Sequence, residues 1–177
     1  MLLTIIIFIA ILSLLVFAHE LGHFWVSRLF GVKAEEFGFG LPPRIVGVVK
    51  DDTGKWRIVG GKDETVFKRT IYSLNWIPVG GFVKIKGESG EAQGDNDSFA
   101  TRKIWQRALM LSAGVIMNVV LAAGILSLGF MLGLPSVVDD EPPAGAIVRD
   151  REIQVLSVLK GSPAAEAGLV SSDIIRR

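Results

Sequence analysis

Residues 1–25 read MLLTIIIFIAILSLLVFAHELGHFW, and the fold turns on how an uncharged run from Met1 to Ala18 can end in two histidines and a glutamate. A run of that length is a transmembrane-helix candidate. A secretory signal peptide would place Lys or Arg before the apolar core and a small-residue cleavage site after it, whereas the first basic side chain here is Arg28. An uncleaved span continuing to about Phe30 fits better. With a rise of about 1.5 Å per residue, His19 lies roughly 13 Å before Arg28, too deep for a polar cluster without purpose. Burying Glu20 there costs about 2.5–3.5 kcal/mol on an insertion scale, so it should face protein or a wet cavity.

Side chains four apart share one face of a helix, so His19 and His23 direct two imidazoles at one point. His19-Glu20-Leu21-Gly22-His23 matches HExxH, in which the histidines bind zinc and the glutamate takes a proton from water at the metal. Zinc would bring the pKa of that water down to about 7. A bound cation would also offset the burial of the carboxylate, and burial favours the neutral imidazole that coordinates. A catalytic zinc needs a third protein ligand. No third histidine exists, and Glu35 and Glu36 follow the helix too soon to lie on a second packed one, although an irregular loop could return one of them.

The whole chain agrees with a membrane setting. Of 177 residues 50% are hydrophobic, and the mean hydropathy is +0.46. A net charge of +1, without a basic stripe, gives no case for nucleic acid. Cysteine is absent, which excludes disulfides and thiolate ligands. A second uncharged stretch runs from Ala108 to Leu134, rich in the small residues that let membrane helices approach. Gly114, Ala122 and Gly129 read as packing positions, and Asn118 as an amide that needs a partner, either structural or beside the active site. From Arg28 to Arg107 there are fourteen Lys or Arg against ten Asp or Glu, and after Leu134 five against seven. The positive-inside rule then places residues 31–107 on the cytoplasmic side and both ends outside.

Between the spans, RIVGVVKDDTGKWRIVG predicts two strands around a turn, and TVFKRTIYSLNWIPVGGFVKIKGE alternates before and after Pro78-Val79-Gly80-Gly81. This β-element is either a small meander that merely links the spans or a sheet edge near the active site that could hold an extended peptide by strand addition. Phe37 to Pro43 predicts a Gly/Pro loop with exposed aromatics, and Gly87 to Ser98 a flexible linker. Ser98 is an expected N-cap for an amphipathic lead-in to the second span. The organisation expected is a transmembrane helix over 1–30, a β-element and linker over 31–98, a lead-in and second helix over 99–134, a linker over 135–150, and a partial domain over 151–177.

Five motifs in order resemble the site-2 protease family of intramembrane zinc metalloproteases, most closely its bacterial PDZ-containing branch: HELGH at 19–23, FGFGLPPRI at 37–45, PVGGFVKIKGE at 78–88, AGVIMN at 113–118 and GSPAAEAGL at 161–169. The resemblance implies a mainly α-helical membrane protein with a membrane-associated β-element and the start of a PDZ-like domain. It implies Zn2+ on His19 and His23, Glu20 as general base, and a β-element that receives substrate, with Gly80, Gly81 and Phe82 as its candidate contacts. The family's third ligand is an Asp on a later span, expected beyond Arg177, so the 177 residues are expected to be inactive alone. The family often has Pro where this chain has Val115, so of that motif only Asn118 carries over. SSDII at 171–175 lacks the Gly usual before the Asp of such domains, so no peptide-binding residues are assigned there.

The function expected is hydrolysis of peptide bonds in or near transmembrane segments, within a multi-pass protein of the bacterial inner membrane. The resemblance implies anti-sigma-factor-like proteins or remnant signal peptides as substrates. The rivals are a non-catalytic scaffold with a peptide-binding PDZ domain and an intramembrane metal transporter. The buried Glu20 argues against the first, and the scarcity of polar residues along the spans against the second.

Overall fold

The computed structural model describes residues 1–61, 63, 65–92, 94–133, 145 and 152–175. Helix α1, Leu2–Leu29, and helix α2, Ile104–Leu132, are long and apolar enough to cross a membrane. At about 1.5 Å per residue each reaches roughly 40 Å, beyond the ~30 Å of a bilayer's hydrocarbon core. Outside their facing stretches they bury little of that apolar surface within the protein: Leu2 to Leu12 of α1 and Val119 to Leu132 of α2 are largely exposed. Such surface needs an apolar surrounding, as a membrane-spanning helix has. Gly133 ends α2 in the left-handed region (φ 86°), where a glycine carries no Cβ penalty.

The helices run antiparallel where they touch. Phe30 meets Trp105 edge-to-face at 5.4 Å, His23 reaches Met110, and Gly22 lies against Ala113, where a Cβ would come within 2.4 Å of the Ala113 carbonyl oxygen.

Between them lies a sheet of order β2-β1-β3, from β1 (Ala34–Lys50), β2 (Trp56–Gly60) and β3 (Ile71–Ile85). β1 and β2 form an antiparallel hairpin from Val46↔Gly60 to Lys50↔Trp56. Asp51 holds the turn by accepting from the Thr53 and Lys55 amides and the Thr53 hydroxyl. β1 and β3 are longer and irregularly paired: residues 36–39 lie opposite Lys84 to Gly81 on one arm of β3 and opposite Ile71 to Leu74 on the other.

The stretch from Phe37 to Pro43, expected as a loop with exposed aromatics, lies inside β1; Phe39 is exposed as expected, and Phe37 is buried. Its glycines mark close crossings instead of a free turn. A Cβ on Gly38 would come within 2.2 Å of the Ser73 hydroxyl, and Gly40 holds φ +82° with the Ile77 carbonyl 2.5 Å from the Cβ position. Phe37 stacks on Phe24 of α1 with ring centroids 4.6 Å apart, within a cluster of Phe24, Ala34 and Phe37 backed by Phe17, Leu21 and Val83.

The acidic segment 87–98, whose composition predicts a flexible linker, makes side-chain ties near its C-terminal end, among its described residues. Lys86 bridges Asp95 at 2.7 Å and Asp97 at 2.6 Å, and Arg102 donates to the carbonyls of Gly31 and Asn96. Ser98 caps a short 3-10 turn, Phe99–Thr101, and Lys103 starts α2.

Residues 134–177 form a separate compact unit. Its described part has β4 (Ile153–Gln154) antiparallel to β5 (Ile174–Ile175), and α3 (Pro163–Glu166) capped by Ser162, whose hydroxyl accepts from Ala165 N–H. The linker expected at 135–150 falls, Gly145 apart, outside the described residues.

Candidate metal centre

Helix α1 carries His19, Glu20 and His23 in the stretch enclosed by α2 on one side and β3 on another, and all three are partly buried. The two Nε2 atoms lie 3.2 Å apart, with the rings edge-to-face at 4.8 Å between centroids. Two nitrogens bound tetrahedrally to one zinc at about 2.0–2.1 Å stand ~3.3 Å apart. The pair is therefore set for a shared cation.

The outward nitrogens are engaged by α2. His23 Nδ1 is 2.7 Å from the Met110 carbonyl oxygen. A carbonyl only accepts, so Nδ1 bears the proton and Nε2 keeps its lone pair for a metal. His19 Nδ1 is 3.5 Å from the Asn118 amide. Between Met110 and Asn118, one turn from each, lies Gly114. A Cβ there would sit 2.5 Å from both Nε2 atoms, filling the space beside the point where the imidazoles converge. Met110, Gly114 and Asn118, four apart on α2, thus face His23 and His19, four apart on α1. The donor set, its spacing and the cleared space fit a zinc ion.

Glu20 is turned from this row toward β3. A Cβ on Gly81 would lie 3.3 Å from the Glu20 Cβ and 3.1 Å from the Phe17 Cα, and one on Gly80 (φ +71°) would strike Val16 at 2.5 Å. Pro78 to Val83 therefore bring the bend of β3 onto α1 beside the candidate base. Of the expected contacts, Gly80 and Gly81 lie on α1, and Phe82 follows them, opposite Gly38 of β1.

Among the described residues no group of three metal-ligating side chains forms. Glu35 pairs with Lys84 at 2.8 Å and Glu36 with Arg44 at 3.0 Å, so both adjacent carboxylates are engaged. Sequence reasoning assigned Gly114 to packing and did not find the Met110 carbonyl; the signal available was the Gly114-x-x-x-Asn118 spacing, equal to that of His19 and His23.

A family model described as Peptidase family M50 matches residues 7–60 and 63–171, most of the chain and all of this site. The chain belongs to peptidase family M50. This is the site-2 protease family. Among similar M50 relatives, a protein of Thermotoga maritima, provisionally named a zinc metalloprotease, is 36% identical over 97% of this chain and 28% of its own length. One of Brucella suis with the same provisional name is 31% identical over 96% of this chain and 41% of its own length. Protease RseP of Yersinia pestis is 36% identical over 73% of this chain and 26% of its own length. The chain thus spans between a quarter and about two fifths of these relatives.

Proposed function

We propose that the chain is the part of an intramembrane zinc metalloendopeptidase that carries two metal ligands and the general base, acting on peptide bonds in or near transmembrane segments. The observation that carries this reading is the pair of Nε2 atoms 3.2 Å apart, with Glu20 one residue from His19 on a helix long enough to span a bilayer. His19 and His23 hold the zinc. Bound there, zinc supplies a Lewis acid that makes hydroxide available near neutral pH and polarises the scissile carbonyl. Glu20 accepts the proton of the attacking water and returns it to the leaving amine. A third ligand, an Asp beyond Arg177, completes the set, and without it the 177 residues are inactive.

A substrate helix hides its carbonyls in hydrogen bonds and must unwind before attack. The bend at Gly80, Gly81 and Phe82 lies beside Glu20 and offers backbone to an extended strand. The setting is the bacterial inner membrane, with residues 31–107 on the cytoplasmic side and the segment from 151 onward, the start of a PDZ-like domain, outside. Substrates are membrane proteins such as anti-sigma factors or remnant signal peptides.

The test is Glu20→Gln in the intact protein. Cleavage of a transmembrane reporter should fall by about 10²–10⁴-fold, the usual contribution of a positioned base, with zinc content unchanged. Undiminished cleavage would sink the enzyme reading.

A further inference from the structure

Asn118 makes its single described side-chain hydrogen bond with an atom that has two possible roles. Its Nδ2 lies 3.5 Å from His19 Nδ1, while its Oδ1 is buried with no hydrogen-bond partner. An amide donor facing Nδ1 requires a lone pair there, which puts the His19 ring proton on Nε2. That proton then points at His23 Nε2, 3.2 Å away, whose own ring proton on Nδ1 goes to the Met110 carbonyl at 2.7 Å. Every donor in the row from Asn118 through His19 and His23 to Met110 then faces an acceptor.

The same row cannot hold a metal. A cation between the imidazoles needs both Nε2 lone pairs, so the single ring proton of neutral His19 must leave Nε2 and one must be taken up at Nδ1, the charge of the ring staying the same. Nδ1–H would then face the amide donor. The conflict disappears if the amide turns by 180°, so that the orphaned Oδ1 accepts from Nδ1–H. Met110 needs no such change, because its carbonyl accepts from His23 in both states.

We propose that Asn118 is the positioning residue of His19, and that its side-chain amide reverses between the metal-free and metal-bound states to select the His19 tautomer. The inference rests on the zinc reading of the site. An amide suits the position because it carries a donor and an acceptor on one rotor: an aspartate can serve only the metal-bound tautomer, and a leucine serves neither. Outer-shell partners of this kind typically contribute 10–100-fold to metal affinity.

The experiment uses the intact membrane protein in detergent, with zinc itself as the probe. Its affinity is measured by chelator competition, and the His19 tautomer by ¹⁵N NMR on imidazole-labelled protein. Wild type should show the Nε2–H tautomer of His19 without zinc and Nδ1–H with it. Asn118→Leu should weaken zinc by about 10–100-fold. Asn118→Asp should recover most of that loss and hold His19 as Nδ1–H even without zinc.

Wild-type affinity in Asn118→Leu, no recovery in Asn118→Asp, or an Nδ1–H tautomer in zinc-free wild type would each overturn the proposal. If zinc is lost in His19→Ala and Asn118→Leu binds normally, this inference fails while the metal centre stands. If wild type binds no zinc, the reading of the site itself fails.

Discussion

Against α2, helix α1 presents His19, Gly22 and His23; against β3 it presents Val16, Phe17 and Glu20. Both contacts are made close by glycines, Gly22 and Gly114 on one side and Gly80 and Gly81 on the other. The consequences differ. On the α2 side the space a Cβ would occupy lies within 2.5 Å of both imidazole Nε2 atoms, so the glycine clears room for a ligand set. On the β3 side the space is taken by Val16 and Phe17, so the glycines bring a strand bend against the helix that carries the proposed base. On the proposed reading, one flank sets the metal and the other sets what lies next to Glu20.

Of the changes that separate the two flanks, the one with the largest expected effect breaks the first alone. Gly114→Ala puts a methyl against rigid rings that cannot swing aside without losing Met110 and Asn118. Zinc retained after dialysis against a chelator should fall by at least about the tenfold that a displaced ligand shell costs, and proteolysis with it. Full zinc occupancy in this variant would show that the flanks do not divide as described.

His19, Glu20 and His23 were legible in the sequence because HExxH states its geometry in its spacing, and a four-residue interval can put two rings on one point only along a helix. Their partners were not equally legible. The carbonyl of Met110 belongs to the backbone, so no side chain announces it, and Gly114 sits among Ala, Ser and Gly in a span where small residues have an ordinary packing role. The two spans followed from their uncharged runs. β1 did not follow in full: Gly38, Gly40, Pro42 and Pro43 are turn-formers by composition, yet the glycines are required where β1 crosses β3 at less than the width of a side chain. The contacts of segment 87–98 were not legible in its own composition, since the residues that make them, Lys86 and Arg102, flank the polar tract.

The second flank is tested by Gly80→Val. The backbone there has φ +71° and the new Cβ would meet Val16 at 2.5 Å, so the bend of β3 must lift from α1. Overpacking of this order costs about 1–3 kcal/mol, read as a lower thermal midpoint in detergent. Cleavage of an intramembrane reporter should drop while zinc content stays at the wild-type level, the reverse of a ligand-flank defect. A parallel loss of zinc would merge the two flanks into one structural unit.

The smallest expected effect lies in the loop tied by Lys86. Hydrogen bonds from the Lys86 ammonium hold the Asp97 carboxyl below its ordinary value of 3.8, and the two carboxylates Asp95 and Asp97 push Lys86 up from 10.5 to about 12. A depressed acid stabilises the fold above its unfolded value and loses that contribution as pH falls through the lowered one. A raised base stabilises below 10.5 and loses its contribution as pH rises through about 12. The tie is therefore constant between these limits and weakens first on the acid side. Because the pair is solvent-screened, the change should be local. Hydrogen exchange of amides 87–98, corrected for intrinsic rates, should be flat at neutral pH, accelerate below 3.8 and be accelerated at neutral pH by Lys86→Met. Zinc affinity at neutral pH should not respond to Lys86→Met, since neither Lys86 nor its partners touch His19 or His23. A response would connect this loop to the α2 flank through Phe99 and Met110, which pack together with Val32 and Ile85.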